Sequence, residues 1–242
     1  MTNRKPLVVI TGASSGIGAA TAKLFSEKGH PLLLLARRVQ KIKDLQLPDT
    51  LCLELDIRDR KLFKQHLETA EKEFGPSDCL INNAGIMLLG EVSQQDPKEW
   101  EDMFQTNVIG LLNGIHGVVQ GMKDRNNGTI INVSSIAGKN VFENHAVYCG
   151  TKFAVHSISE QLRKELSNYN CRVTTIAPGA VETELLGHTT NPKIIDGYQK
   201  WKDEMGGVLQ SEDVANAIYY AYQQPKNVCI REIALAPTRQ EP

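Results

Sequence analysis

The chain has 242 residues, 41% of them hydrophobic, and a formal net charge of −1. That composition supports a buried core and excludes a disordered chain. The mixed charge, with no basic stripe, excludes nucleic acid or an anionic membrane surface as the main partner. Five scattered cysteines, none in C-x-x-C spacing, predict reduced thiols in a cytoplasmic protein, and six histidines without a Cys/His cluster predict no metal site.

The start, "MTNRKPLVVITG", carries an apolar run of only four residues, Leu7 to Ile10, so no signal peptide is expected. No stretch is long enough for a membrane span. The first strand is "LVVIT" (7–11), and "TGASSGIG" (11–18) follows it and opens a helix over 17–28, stopped by Gly29. In that strand–loop–helix setting Gly12, Gly16 and Gly18 suit a tight turn, close approach to a pyrophosphate and close packing of helix on strand. Ser14 and Ser15 add hydroxyls, and Ile17 begins the helix, whose free N–H groups and positive dipole favour phosphate.

Further strands are read at 31–36, 51–56, 79–83, 129–135, 172–178 and 229–235. Most are apolar on both faces, as in a parallel sheet covered on both sides. Helical patterns over 98–122 and 147–167 alternate with them. The result is an α/β doubly wound sheet in one domain, 1–242, with no linker or repeat. In "AVYCGTKFAVHS" (146–157), Tyr148 and Lys152 stand four apart, on one helix face. Two unit charges about 4 Å apart interact by roughly 4 kcal/mol at an effective dielectric of about 20. At about 1.4 kcal/mol per pKa unit, the pairing is expected to bring the Tyr148 phenol to about 7, near a working pH for proton transfer. Between 180 and 227 no strand is expected, and 184–207 is read as a lid over the carboxyl edge of the sheet.

The spacing G-x-x-x-G-x-G, "NNAG" at 82–85, an asparagine at 107, "VSS" at 133–135, Tyr148-x-x-x-Lys152 and "PG" at 178–179 occur in register along essentially the whole chain. In this the sequence resembles the short-chain dehydrogenase/reductase family. The resemblance implies a Rossmann-type sheet of seven strands in the order 3-2-1-4-5-6-7, a nicotinamide dinucleotide and interconversion of a secondary alcohol and a ketone. It implies a catalytic set of Asn107, Ser135, Tyr148 and Lys152, with Asn107 bending its helix and holding a water in a relay to Lys152. Ser135 stands thirteen residues before Tyr148, the family's spacing; Ser134 is the competing choice, and in an extended chain only one of the two faces the tyrosine. Asn83, Ala84 and Gly85 are expected on the adenosine side, with Asn82 tying neighbouring strands. Pro178, Gly179, Val181 and Thr183 are expected to flank the carboxamide. Asp56 is expected near the adenine with Ile57 beneath it, or else to cap the helix beginning near Asp59.

An acid at the end of the second strand would bind ribose hydroxyls and repel a 2′-phosphate. Here Ala36 takes that place and Arg37 and Arg38 follow, so NADP(H) is expected, with Arg37 as the contact and Arg38 stacking on adenine or pointing to solvent. In the lid, His188, Trp201 and Met205 either line a substrate pocket or, with Ile195 and Tyr198, pack on the body. Lys139 and Lys193 are candidates for a carboxylate. The tail "IREIALAPTRQEP" resembles the branch holding 3-hydroxy acid and serine dehydrogenases, which points to a small hydroxy acid or small carbonyl substrate. An acyl-carrier-protein reductase and a non-catalytic NADP(H) sensor are the alternatives. A homotetramer or dimer is expected from the family.

Overall fold

The computed structural model describes residues 5–241; the first four residues of the stretch read as lacking a signal peptide lie outside it. Seven strands form one parallel sheet: β1 (Leu7–Thr11), β2 (Leu32–Ala36), β3 (Thr50–Glu54), β4 (Ser77–Asn82), β5 (Gly128–Val133), β6 (Cys171–Pro178) and β7 (Glu232–Leu235). Their order is β3-β2-β1-β4-β5-β6-β7, a Rossmann-type arrangement as expected. Strand residues alternate between two cores. Leu7, Val9, Leu33 and Leu80 meet α3 (Arg60–Phe74), α5 (Gly110–Asp124) and α6 (Ala146–Leu166). Val8, Ile10, Leu34 and Ile81 meet α1 (Gly16–Glu27), α2 (Val39–Lys43) and α8 (Ser211–Tyr222). This two-sided burial explains the continuous apolar runs.

Local rules set the helix ends. The α1 helix closes in a Schellman turn: Gly29 has φ +79, its N–H reaches Ser26 O at 2.8 Å, and His30 N reaches Phe25 O at 3.1 Å. Asp59 caps α3 by accepting from Leu62 N at 2.9 Å. Asp56 therefore does not cap it; its carboxylate pairs with Arg58 at 2.6 Å.

The helix expected over 98–122 is not continuous. α4 (Pro97–Phe104) passes through a π turn, Gln105–Ile109, before α5 begins. The wide turn places Asn107, which is buried, against the sheet edge. Between β6 and β7 there is no strand, only an isolated bridge between Val181 and Leu209, a short 3₁₀ turn Glu184–His188, α7 (Pro192–Glu204) and α8. No described helix is long and apolar enough to cross a membrane, and all five cysteines are free.

Candidate active site

The carboxyl ends of β1, β2, β4, β5 and β6 open into one cavity of about 1640 Å³. At one end lies the glycine loop. Gly12 N donates to Leu35 O at 2.8 Å, and a Cβ on Gly18 would come within 2.3 Å of Gly12 O. Only a bare Cα lets the helix meet the loop this closely. Asn83 locks that loop from β4: its Nδ2 donates to Thr11 O and Gly12 O, both at 3.2 Å, while Thr11 Oγ1 accepts from Asn83 N at 3.1 Å and Ala84 N at 3.2 Å. Gly12, Ser14, Ser15, Gly16, Ile17, Arg37, Arg38, Asp56, Ile57, Asn83, Ala84 and Gly85 all line the cavity, as do Pro178, Gly179, Val181 and Thr183. Gly18 lies behind the loop as a packing contact and not on the wall.

Arg38 is half-exposed, lines the cavity and is ion-paired. Its Nη2 donates to Ser15 Oγ at 2.9 Å and Ser14 Oγ at 3.3 Å, and its Nη1 to Glu184 at 2.6 Å. Arg37 has no ion pair among the described residues. Its charge helps lower the Asp56 carboxyl, after the larger effect of the Arg58 hydrogen bond.

At the other end, β5 stops at Val133 and the extended chain carries two serines in opposite directions. Ser134 Oγ faces α6, at 2.9 Å from His156 Nδ1 and donating to Lys152 O at 3.3 Å. Ser135 Oγ accepts from Ala137 N at 3.1 Å and donates to Pro178 O at 3.3 Å, and the hydroxyl lies near enough to Tyr148 to favour its ionised form. Tyr148 and Lys152 sit on the first turns of α6, only 6% and 7% exposed, with Lys152 Nζ 5.7 Å from the Tyr148 ring centroid. Lys152 Nζ donates to Val133 O at 3.1 Å. Asn107 spends its amide on the chain after β4: Oδ1 accepts from Ile86 N at 2.8 Å, and Nδ2 donates to Ile86 O at 2.9 Å and Thr151 Oγ1 at 3.1 Å.

The electrostatics differ from the isolated-pair expectation. Burial pushes the Tyr148 phenol above its ordinary range, with nearby Tyr198 adding to the effect and the Ser135 hydrogen bond opposing it. Burial pushes Lys152 down to about 8. Desolvation of both groups outweighs their mutual attraction, because the site removes the water that a separation-based estimate leaves in place.

Gln240 and His145 were not legible as site residues. Gln240, near the chain end, folds back so that its Oε1 accepts from Ala180 N at 2.8 Å on the cavity wall. His145, Tyr198 and Trp201 form an aromatic wall, with ring centroids 6.1 Å apart for His145–Tyr198 and 5.1 Å for Tyr198–Trp201. His188 and Trp201 line the cavity; Met205 is buried away from it. Lys193 lines it, whereas Lys139 is engaged with Glu232 at 2.6 Å outside it. Among the described residues no group of His, Cys, Asp and Glu could hold a metal.

A family model described as short chain dehydrogenase matches residues 6–193. An uncharacterized oxidoreductase of Staphylococcus saprophyticus is 38% identical over 97% of this chain and 96% of its own. An uncharacterized oxidoreductase of Listeria monocytogenes is 36% identical over 99% of both chains. Among solved structures, the closed form of a serine dehydrogenase complexed with NADP+ matches with a TM-score of 0.91 at 31% identity, covering 97% of this chain and 96% of that one.

Two outcomes are expected. Gly18→Ala forces backbone apart and lowers stability by about 1–3 kcal/mol, read from the urea midpoint. Lys152 has a folded pKa of about 8 against an ordinary 10.5, so the unfolded chain binds the extra proton between those values and stability rises with pH there. Relative to Lys152→Met, the wild type should therefore gain roughly 3 kcal/mol between about pH 8 and about pH 10.5, measured by urea unfolding across that range.

Proposed function

The chain belongs to the short-chain dehydrogenase family, and on that footing we propose that it is an NADP(H)-dependent oxidoreductase interconverting a small secondary alcohol and its carbonyl compound. The observation that carries this is the convergence of Ser135, Tyr148 and Lys152 on one wall of the cavity whose other end is the glycine loop. The residues fit the dinucleotide. A Cβ on Gly12 would meet Ala84 Cα at 2.8 Å, so the loop and the chain after β4 leave a groove only where side chains are missing. The absence of an acid at Ala36, with Arg37 and Arg38 beside the groove, supports a 2′-phosphate. So does the NADP+ held by the serine dehydrogenase relative.

When bound, the nicotinamide supplies or accepts the hydride. The chain supplies the rest. A phenol pushed upward by burial is protonated at neutral pH, which suits Tyr148 to donate to a carbonyl oxygen during reduction. Ser135 hydrogen-bonds the same oxygen. Lys152, charged below about pH 8, stabilises the phenolate left behind. Asn107 fixes the chain at Ile86 and the helix at Thr151, and so sets the spacing between α6 and the floor of the site.

The substrate end is apolar, with Phe142, Leu185, Leu186, Ile194 and Tyr198 around Tyr148. That favours a small carbonyl compound, and Lys193 on the rim is available to the carboxylate of a hydroxy acid. Glu91, Asp96, Glu99 and Glu143 also border the cavity, which disfavours docking of an acidic carrier protein. We place the protein in the cytoplasm on its free thiols. Exposed Phe104, Ile109, Leu112 and Phe153 on the α4–α5 and α6 surfaces support a homodimer or tetramer. Residues 184–207, which contribute much of the cavity wall, act as its lid.

The test is NADPH oxidation across keto acids, keto esters, aldehydes and diketones. Turnover of at least one class is expected, and Tyr148→Phe should lower its kcat by about 10²–10⁴-fold while NADPH still binds. Full turnover by that variant would refute the acid–base role; tight NADPH binding with no turnover of any carbonyl by the wild type would favour a sensor. Arg37→Asp should shift preference toward NADH by about tenfold or more, read from the two kcat/KM values.

A further inference from the structure

Glu184 occupies a peculiar place. It begins the segment after β6, yet its carboxylate crosses the cavity to the end of β2. Oε2 accepts from Arg38 Nη1 at 2.6 Å, and Oε1 accepts from Lys41 Nζ at 2.8 Å. The same Arg38 reaches Ser14 and Ser15 of the glycine loop with its other nitrogen. One acid thus takes a separate cation on each oxygen, at the mouth of the groove where the loop and β2 end side by side. The two cations hold its carboxyl down at about 2, so it stays charged at any working pH.

These side chains are half-exposed, 48% for Arg38, 48% for Lys41 and 49% for Glu184. Exposed ion pairs are weak and exchange readily. A phosphate monoester carries close to twice the charge of a carboxylate and three acceptor oxygens. We propose that Glu184 is an internal stand-in for the 2′-phosphate: it neutralises Arg38 and Lys41 in the free protein, and a phosphorylated adenosine displaces it from both. Glu184 is then a specificity-determining residue. It weakens binding of every 2′-phosphorylated ligand by the strength of the contact that must be broken, and leaves unphosphorylated ligands untouched. Lys41, outside the residues expected from sequence, becomes a second seat for the phosphate beside Arg38, and Arg37 adds a third cation. The inference rests on the NADP(H) reading above.

The experiment measures dissociation constants for NADPH, NADH, adenosine 2′,5′-bisphosphate and adenosine 5′-monophosphate on the wild type, Glu184→Gln and the Glu184→Gln/Lys41→Gln pair. Glu184→Gln keeps the size of the side chain and removes its charge. Expected is a gain of about three- to tenfold for the two 2′-phosphorylated ligands and less than about twofold for the other two. The added Lys41→Gln should reverse most of that gain. If Glu184 instead clasped the segment over bound cofactor, Glu184→Gln would weaken NADPH, and that result, or no change, overturns the proposal while leaving the NADP(H) reading intact. A wild type that binds NADPH no more tightly than NADH overturns the cofactor reading, and the role of Glu184 falls with it.

Discussion

The Lys152 ammonium lies beneath the end of β5, where it donates a hydrogen bond to the Val133 carbonyl and only 7% of the residue is exposed. A charge in that position is expensive unless its surroundings are fixed, because small displacements remove the only compensation it has. The rest of the chemical end follows from holding it there. Asn107 pins the chain after β4 to α6, and Gly85 leaves the room: a Cβ there would come within 3.3 Å of Asn107 Oδ1 and 3.9 Å of Lys152 Nζ. The π turn makes this possible, since it widens the helix at the residue whose amide must reach both neighbours.

A second buried polar chain keeps the strands themselves in place. Asn82 on β4 donates to Asn132 on β5 at 3.0 Å, and Asn132 donates to Ser159 on α6 at 2.8 Å. Buried amide N–H groups that find partners favour one register, because a slip leaves them unpaired. The α6 face that carries Tyr148 and Lys152 is thereby tied to the same two strands whose ends carry Asn83 and Ser135. Deep polar bonds, and not the apolar core alone, set the relative height of the glycine loop and the tyrosine.

The strands and the glycine loop were legible in the sequence because their causes are local. Two-sided burial writes itself as continuous apolar runs such as "LLLLA", and a strand–glycine–helix junction needs its glycines wherever it occurs. Tyr148 and Lys152 were legible because helical spacing puts them on one face whatever lies around them. What lies around them was not. The upward shift of the phenol is a property of burial, reinforced by Tyr198 on α7, which a pairwise spacing cannot count. Gln240 and Glu184 were hidden for the same reason. Each is defined by a contact with a segment far away in the chain, 60 residues for Gln240 and 146 for Glu184, and the amino acids themselves are unremarkable surface types.

The two ends of the cavity therefore hold charge in opposite ways. At the chemical end Tyr148 and Lys152 are almost fully buried, Lys152 has one backbone carbonyl as its partner, and burial moves both away from their ordinary ionisation. At the adenosine end Arg38, Lys41 and Glu184 are wet and paired to one another. Low effective dielectric makes a charge costly to move, and high effective dielectric makes a partner easy to exchange. On the function proposed above, a site that releases and rebinds a large anionic carrier needs the second property where the carrier's charge lies and the first where a proton is passed. The fold provides both because Arg38 and Lys41 stand on the half-exposed chain that follows β2, whereas Tyr148 and Lys152 lie on the buried face of α6 beside the end of β5, so depth sorts fixed charges from exchangeable ones.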